Sequence, residues 1–255
     1  MKLLSLILAG AAATVASIST SYNSITPIEP SRTLAFGPPL VCFQYDIGDA
    51  RSLPWGNDTK DAFDIDPAFD VKDLISETLN ILETSNDIIV HMETLRRAVI
   101  YSARSDGKIA KTKEGSLECR LVALVLDSSL KRIANDPKSP YPWIDAGYAI
   151  GASTHMGGSL GYSVEFASHF EKAILLSPDS AAASFAAAAG YLDSPKGAKW
   201  QHYIKLALSQ SEPGSLVHKN IVAFSEHYLG KEVLEDLIKS EERRKKAQGE
   251  KKVSK

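Results

Sequence analysis

Apolar residues return every third or fourth position through most of this chain, and no stretch alternates apolar with polar residues long enough to specify a strand. In VKDLISETLNILET, Val71, Leu74, Ile75, Leu79 and Leu82 fall on one helical face. Asp70, closing the acidic, turn-rich stretch GNDTKDAFDIDPAFD, is placed to cap that helix. DIIVHMETLRRAVIYSAR repeats the pattern with Ile88, Met92, Leu95 and Val99 in register, and Ser85 or Asp87 stands at its cap. SLECRLVALVLDSSLKRIAN is apolar almost all round in its middle, which predicts burial on more than one side and makes it the candidate central helix of the first half. DPKSPYPW then puts three prolines into eight residues and is the best internal boundary.

Beyond that boundary a repeat changes the picture. FEKAILLSP spaces Phe170, Ala173 and Pro178 as F, two residues, A, four residues, P, and in the same register Ala188 and Tyr191 follow in AAASFAAAAGY. HYIKLA returns 33 residues after HFEKA, matching His169 with His202 and Phe170 with Tyr203. Over residues 162–230 this resembles a tetratricopeptide repeat, which implies stacked helix pairs with Ala173 and Ala188 at close helix contacts. Departures are a missing opening tryptophan, Leu206 in place of the alanine and Ser211 in place of the proline. Ser194 with Pro195, Ser215 and Gly230 supply start and stop signals, and EVLEDLIKSEERRKK sets Leu234, Leu237 and Ile238 on one side as an end cap. The predicted fold is all-α: stacked antiparallel helix pairs, solenoid-like, with an extended N-terminal segment.

The N-terminus reads differently. Lys2, a largely apolar run from Leu3 to about Ala16 and small residues after it have the layout of a secretory signal peptide, and the run is shorter than the ~20 residues that span a bilayer. Cleavage after Ala13 or Ala16 fits the small-residue preference, a later cut after Ala35 is an alternative, and uncleaved anchoring is another. No later stretch is long and apolar enough for a membrane helix. GPPLVCFQYDIGDARSLPWG, residues 37–56, follows with three prolines, three glycines, three aromatics and Cys42. Its prolines make it stiff and poor at joining a helix or sheet, and Leu40, Val41, Phe43, Tyr45, Leu53 and Trp55 suit it to lie across helices as a strap. Two cysteines in an exported chain predict a bond between Cys42 and Cys119; the alternative is a reactive Cys42 thiolate, with Arg51 the one nearby positive charge in sequence. This first half is similar to a group of uncharacterised secreted bacterial proteins, which implies a periplasmic or extracellular setting and no chemistry.

Charge refines this without redirecting it. A formal net charge of −2 argues against a general nucleic-acid role, but residues 239–255 carry +5 and leave −7 on the remainder. The basic tail reads as a solvated helix end, with binding to an anionic surface as the alternative. The organisation is then a signal peptide at 1–19, extending to 35 if cut late, a strap and acidic loop at 37–70, a helical half at 71–136, a tetratricopeptide-like half at 141–238 and a tail at 239–255.

Catalytic motifs are weak throughout. The six histidines show no zinc-binding spacing and read as structural or surface residues, GGSLG at 157–161 reads as a turn between stacked helices, and DIDPAFD lacks the central glycine and closing glutamate of a calcium loop. Asn57 in NDT is a glycosylation acceptor only in a eukaryotic source. No cofactor, catalytic or metal residue is assigned. One cluster stands out: Glu93, Arg96 and Arg97 share a helix, a spacing that ordinarily gives a solvated surface pair. Buried under the strap with Asp46 or Asp49, it would hold the strap's polar groups or a small anionic ligand. The expected role is non-catalytic binding of a peptide, protein or cell-envelope component. The competing class is an enzyme with a site between residues 37–56 and the helices, using Glu93, a strap aspartate or Cys42.

Overall fold

A computed structural model of the chain describes residues 38–56, 63–104, 116–156, 166–191, 199–240 and 243. The signal-like segment, the GGSLG turn, the Ser194–Pro195 cap, Asn57 and most of the basic tail lie outside the described residues. Helices account for the regular structure of what is described: α1 (Pro39–Cys42), α2 (Leu74–Thr84, entered through a 3-10 turn at Val71–Asp73), α3 (Ile88–Arg104), α4 (Leu117–Asn135), α5 (Tyr141–His155), α6 (Ala167–Leu176), α7 (Ala181–Tyr191), α8 (Lys199–Gln210), α9 (Leu216–Leu229) and α10 over residues 231–240. The fold is all-α. From α5 onward consecutive helices pack as pairs, an arrangement compatible with a helical repeat.

The starts and stops follow local chemistry. Asp70 accepts the Lys72 N–H at the entry to α2, and Asp87 accepts the Ile89 N–H at 2.7 Å at the start of α3. Ser116 and Ser215 cap α4 and α9 in the same way, through the N–H groups of Cys119 and His218. Gly230 ends α9 at φ +83°, a backbone state that L side chains rarely adopt. Pro39 is accommodated at the first position of α1, where its missing N–H costs no bond, so the strap opens with one helical turn before it runs extended.

The central helix of the first half is α3, and α4 is a flanking one. All of α3 except Arg97 and Arg104 is buried, with α1, α2, α4, α5 and α7 packed around it. In α4 the inward side is Leu121, Val122, Val125 and Ser129, while Leu124 and Leu130 face solvent. The nearly all-round apolar middle of α4 suggests the reverse, whereas α3 carries a glutamate and two arginines in its middle. Inside the fold the Glu93 carboxylate is ion-paired with both guanidinium groups, and with its charges partnered α3 can be enclosed.

Small residues set the spacing of the later helices. A Cβ at Gly190 of α7 would stand 2.4 Å from the ring of Phe170 on α6, and one at Gly147 of α5 would meet the Cβ of His169 at 2.9 Å. Phe170 therefore fills the seam between α6 and α7, and Ala173 and Ala188, both fully buried, let the backbones come close. Leu234 and Leu237 of α10 close the far end of the same core, with Ile238 half-buried beside them.

Cys42 and Cys119 are not joined by a disulfide. Cys42 ends α1, which lies on α3, α5 and α7, whereas Cys119 is in the first turn of α4, which packs chiefly on α5, α3 and α2. A disulfide requires Cα atoms within about 7 Å and facing Cβ atoms; α1 and α4 both pack on α3 and α5 but are not one of the closely packed helix pairs. Alkylating the unreduced, denatured protein is expected to label both cysteines, as read by mass. Gly190→Val is expected to overpack the α6–α7 seam and destabilise by about 1–3 kcal/mol, seen as a lowered melting midpoint; Ala173→Phe and Ala188→Phe are expected to act alike.

Candidate functional site

The strap crosses one side of the helical array in an alternating conformation. Phe43, Tyr45 and Ile47 are buried, Gln44 is half-buried and Asp46 faces solvent. That two-residue period is what an extended segment shows when one face is covered. Phe43 sits edge-on to Phe224 of α9 with ring centres 5.2 Å apart, and Tyr45 sits edge-on to Phe185 of α7 and Tyr148 of α5 at 5.9 and 6.3 Å. The strap thus touches α5, α7 and α9, alternate members of the array.

Under it lies the cluster Glu93, Arg96 and Arg97. Glu93 Oε2 accepts the backbone N–H of Tyr45 at 3.0 Å and Nε–H of Arg96 at 2.8 Å. Its Oε1 accepts Nη2–H of Arg96 at 2.8 Å and Nε–H of Arg97 at 2.7 Å. A carboxylate has about four acceptor positions, so the side chain is saturated. Arg96 donates on to the Val41 carbonyl at 3.3 Å, and Arg97 to the Leu53 carbonyl at 2.5 Å. The two guanidinium groups face the Trp55 ring at 4.7 and 5.6 Å from its centre. Burial disfavours the Arg96 charge, but the Glu93 carboxylate outweighs it and holds the guanidinium more firmly protonated than usual. Three points of the strap, at Val41, Tyr45 and Leu53, are tied to one turn of α3.

Of the five candidate binding residues, the structure brings together Glu93, Arg96 and Arg97 and leaves Asp46 and Asp49 outside. Both aspartates are exposed. The Asp46 carboxylate accepts the Gly48 N–H at 2.9 Å and shapes a local turn, while its backbone exchanges two hydrogen bonds with the side chain of Asn220 on α9, at 2.8 and 2.7 Å. The spacing of Glu93 and Arg97 suggests a solvated pair, yet Glu93 and Arg96 are almost wholly buried and Arg97 is 17 % exposed.

Two further polar groupings were not identified from the sequence. His91 of α3 and Asp145 of α5 are both fully buried and paired, with Arg132 of α4 on the other carboxylate oxygen. Glu171 of α6 accepts from Tyr191 at 2.6 Å, Lys199 at 2.7 Å and Tyr203 at 3.4 Å. Burial pushes the Glu171 carboxyl up, but these donors outweigh it and leave it below the usual carboxylate range. A signal for the first grouping was present: His91 adjoins Met92 on a core-facing helix, and Asp145 is the single charge in WIDAGYAIGA. A polar residue at such a position needs a buried partner. Among the described residues no group of three His, Cys, Asp or Glu side chains is placed to hold a metal ion, and no helix is long and apolar enough to cross a membrane.

Compared with known proteins, the chain matches no family model, no curated protein and no solved structure. The reading of the site therefore rests on its geometry.

Glu93→Ala is expected to leave Arg96 buried without its counter-charge and to cost about 3–5 kcal/mol. The check is urea unfolding, with increased proteolysis at residues 38–56 as the local sign. Replacing the exposed Asp49 by Ala is expected to change stability by less than about 0.5 kcal/mol.

Proposed function

We propose that this is an exported, non-catalytic protein whose tetratricopeptide-like helices bind a peptide, a protein or a cell-envelope component. The observation that carries the non-catalytic reading is the saturation of Glu93: all its acceptor positions are taken by the protein's own donors, so it has none left to accept a substrate proton. The enzyme alternative drew on Glu93, a strap aspartate or Cys42. Asp46 and Asp49 lie out in solvent, so they do not converge with Glu93 on a shared pocket.

The side of the array at α5, α7 and α9 is occupied by the strap, which moves the binding surface to the uncovered side. There α6 and α8 carry Leu175, 75 % exposed, and the half-buried Trp200 and Tyr203, beside the Glu171–Lys199 pair. An apolar and aromatic surface rimmed by charge suits a protein or peptide ligand. Export is supported by the signal-like residues 1–19.

The test places a photo-crosslinking residue at position 175 of the mature protein and irradiates it in its own envelope extract. A discrete adduct is expected, and it should weaken at least tenfold when Tyr203→Ala and Trp200→Ala are added. An equally strong adduct from a probe at exposed Asp49, or substrate turnover that survives both changes, would overturn the assignment of this face.

A further inference from the structure

His91 stands near the start of α3 with its ring wholly buried. Its Nδ1 lies 2.6 Å from Oδ1 of Asp145, and its Nε2 lies 3.1 Å from the carbonyl oxygen of Ser85. Neither oxygen has a proton to give. Oδ2 of Asp145 is ion-paired with Arg132, accepting its Nη1–H at 2.6 Å, and a backbone carbonyl is an acceptor only. A neutral imidazole carries one ring proton and would set the lone pair of its other nitrogen against an oxygen in a buried site. An imidazolium donates to both. Its charge and that of Arg132 face the one Asp145 carboxylate.

We propose that His91 is a buried imidazolium that latches the start of α3 to α5 and to the turn between α2 and α3, and that losing its proton as pH is raised releases this corner of the fold. The corner has a particular place. Ser85 and Asp87 belong to the turn leading into α3, Arg132 to the last turn of α4, and Asp145 and Tyr141 to the first turns of α5. These are the two ends flanking the proline-rich turn at 136–140, so the latch sits where the first helical half meets the repeat-like half.

The titratable and charged groups around the ring are few. From α5 come Asp145 and Tyr141, whose ring centre is 5.4 Å from the imidazole and whose hydroxyl donates to the Asn86 carbonyl at 2.8 Å. From α4 comes Arg132, and in the turn before α3 stands Asp87, its carboxylate occupied by the Ile89 N–H. Burial lowers the affinity of His91 for its second proton. The Asp145 charge and hydrogen bond and the Ser85 carbonyl outweigh burial and the opposing Arg132, so the net displacement is upward from the ordinary 6.5. A folded-state pKa above the unfolded one contributes stability fully present below about pH 6.5 and lost as pH rises through the folded value. The latch is therefore closed below about pH 6.5 and opens as pH rises through the folded value.

The test uses the full chain labelled with 15N in its histidines. At pH 7 both ring nitrogens of His91, assigned by their loss in His91→Gln, are expected to be protonated. As pH then rises through the His91 titration, protection of backbone amides in residues 88–92 and 141–145 should fall about tenfold for each unit by which its pKa exceeds 6.5, with α9 unchanged. In His91→Gln that fall should be absent. One unprotonated ring nitrogen at pH 7, or the same loss of protection in the variant, would overturn the proposal. Should His91→Gln fail to fold, assignment through contacts between the His91 and Tyr141 rings leaves the wild-type ring-nitrogen measurement decisive alone.

Discussion

A carboxylate buried between two arginines and a backbone amide organises this molecule. Glu93 cannot be taken out of water unless its charge and its four acceptor positions are met, and the donors that meet them come from its own helix and from a segment 48 residues earlier. Arg96 and Arg97 then pass the constraint outward to the carbonyls of Val41 and Leu53. Breaking the arrangement at any member strands another as a buried, unpaired polar group, so the strap is held by the cost of leaving more strongly than by the net gain of any single bond. With the strap fixed by α3, a covalent tie from Cys42 to the neighbouring helices has no structural task left.

Because the strap is anchored at three points, its side-chain alternation becomes a packing device. Every second residue from Phe43 to Ile47 enters the helical array, and Phe43, Tyr45, Phe185 and Phe224 form a run of edge-on aromatic contacts from the strap through α7 to α9. The array can receive them because alanine and glycine dominate α7 and let its neighbours approach on the other side. One side of the repeat-like half is thereby closed by the chain's own N-terminal segment. The intervening helices α6 and α8 keep apolar and aromatic side chains partly in solvent.

The helices of this chain were legible because helix formation is local. Apolar spacing marks Leu74 and Leu82 on the buried face of α2 and Leu234 and Leu237 on that of α10, and Asp70, Asp87, Ser215 and Gly230 act within three or four residues of where they stand in sequence. The seam alanines 173 and 188 and the strap's apolar residues were legible for the same reason: their size and order are properties of short segments. Legibility failed where a residue's environment depends on something distant. Glu93 and Arg97 carry the spacing of a surface pair, and nothing within a few turns distinguishes that from a buried lock. The enclosure of α3 and the exposure of Leu124 and Leu130 on α4 invert what the all-round apolar middle of α4 indicates, because partnered charges can be buried and an apolar side chain need not be.

Residue order alone determined the all-α class, the main helix starts and stops, and the existence of a stiff apolar segment before them. Tertiary structure decided which helix is central, that Cys42 and Cys119 are not bonded, that Asp46 and Asp49 stand apart from the arginines, and that His91 meets Asp145. The physical reason is one of range. Periodicity, capping and backbone stiffness act over a few residues, whereas a hydrogen bond between Tyr45 and Glu93, between His91 and Asp145, 54 residues apart, or between Asp46 and Asn220, 174 apart, exists only once folding has brought the chain together.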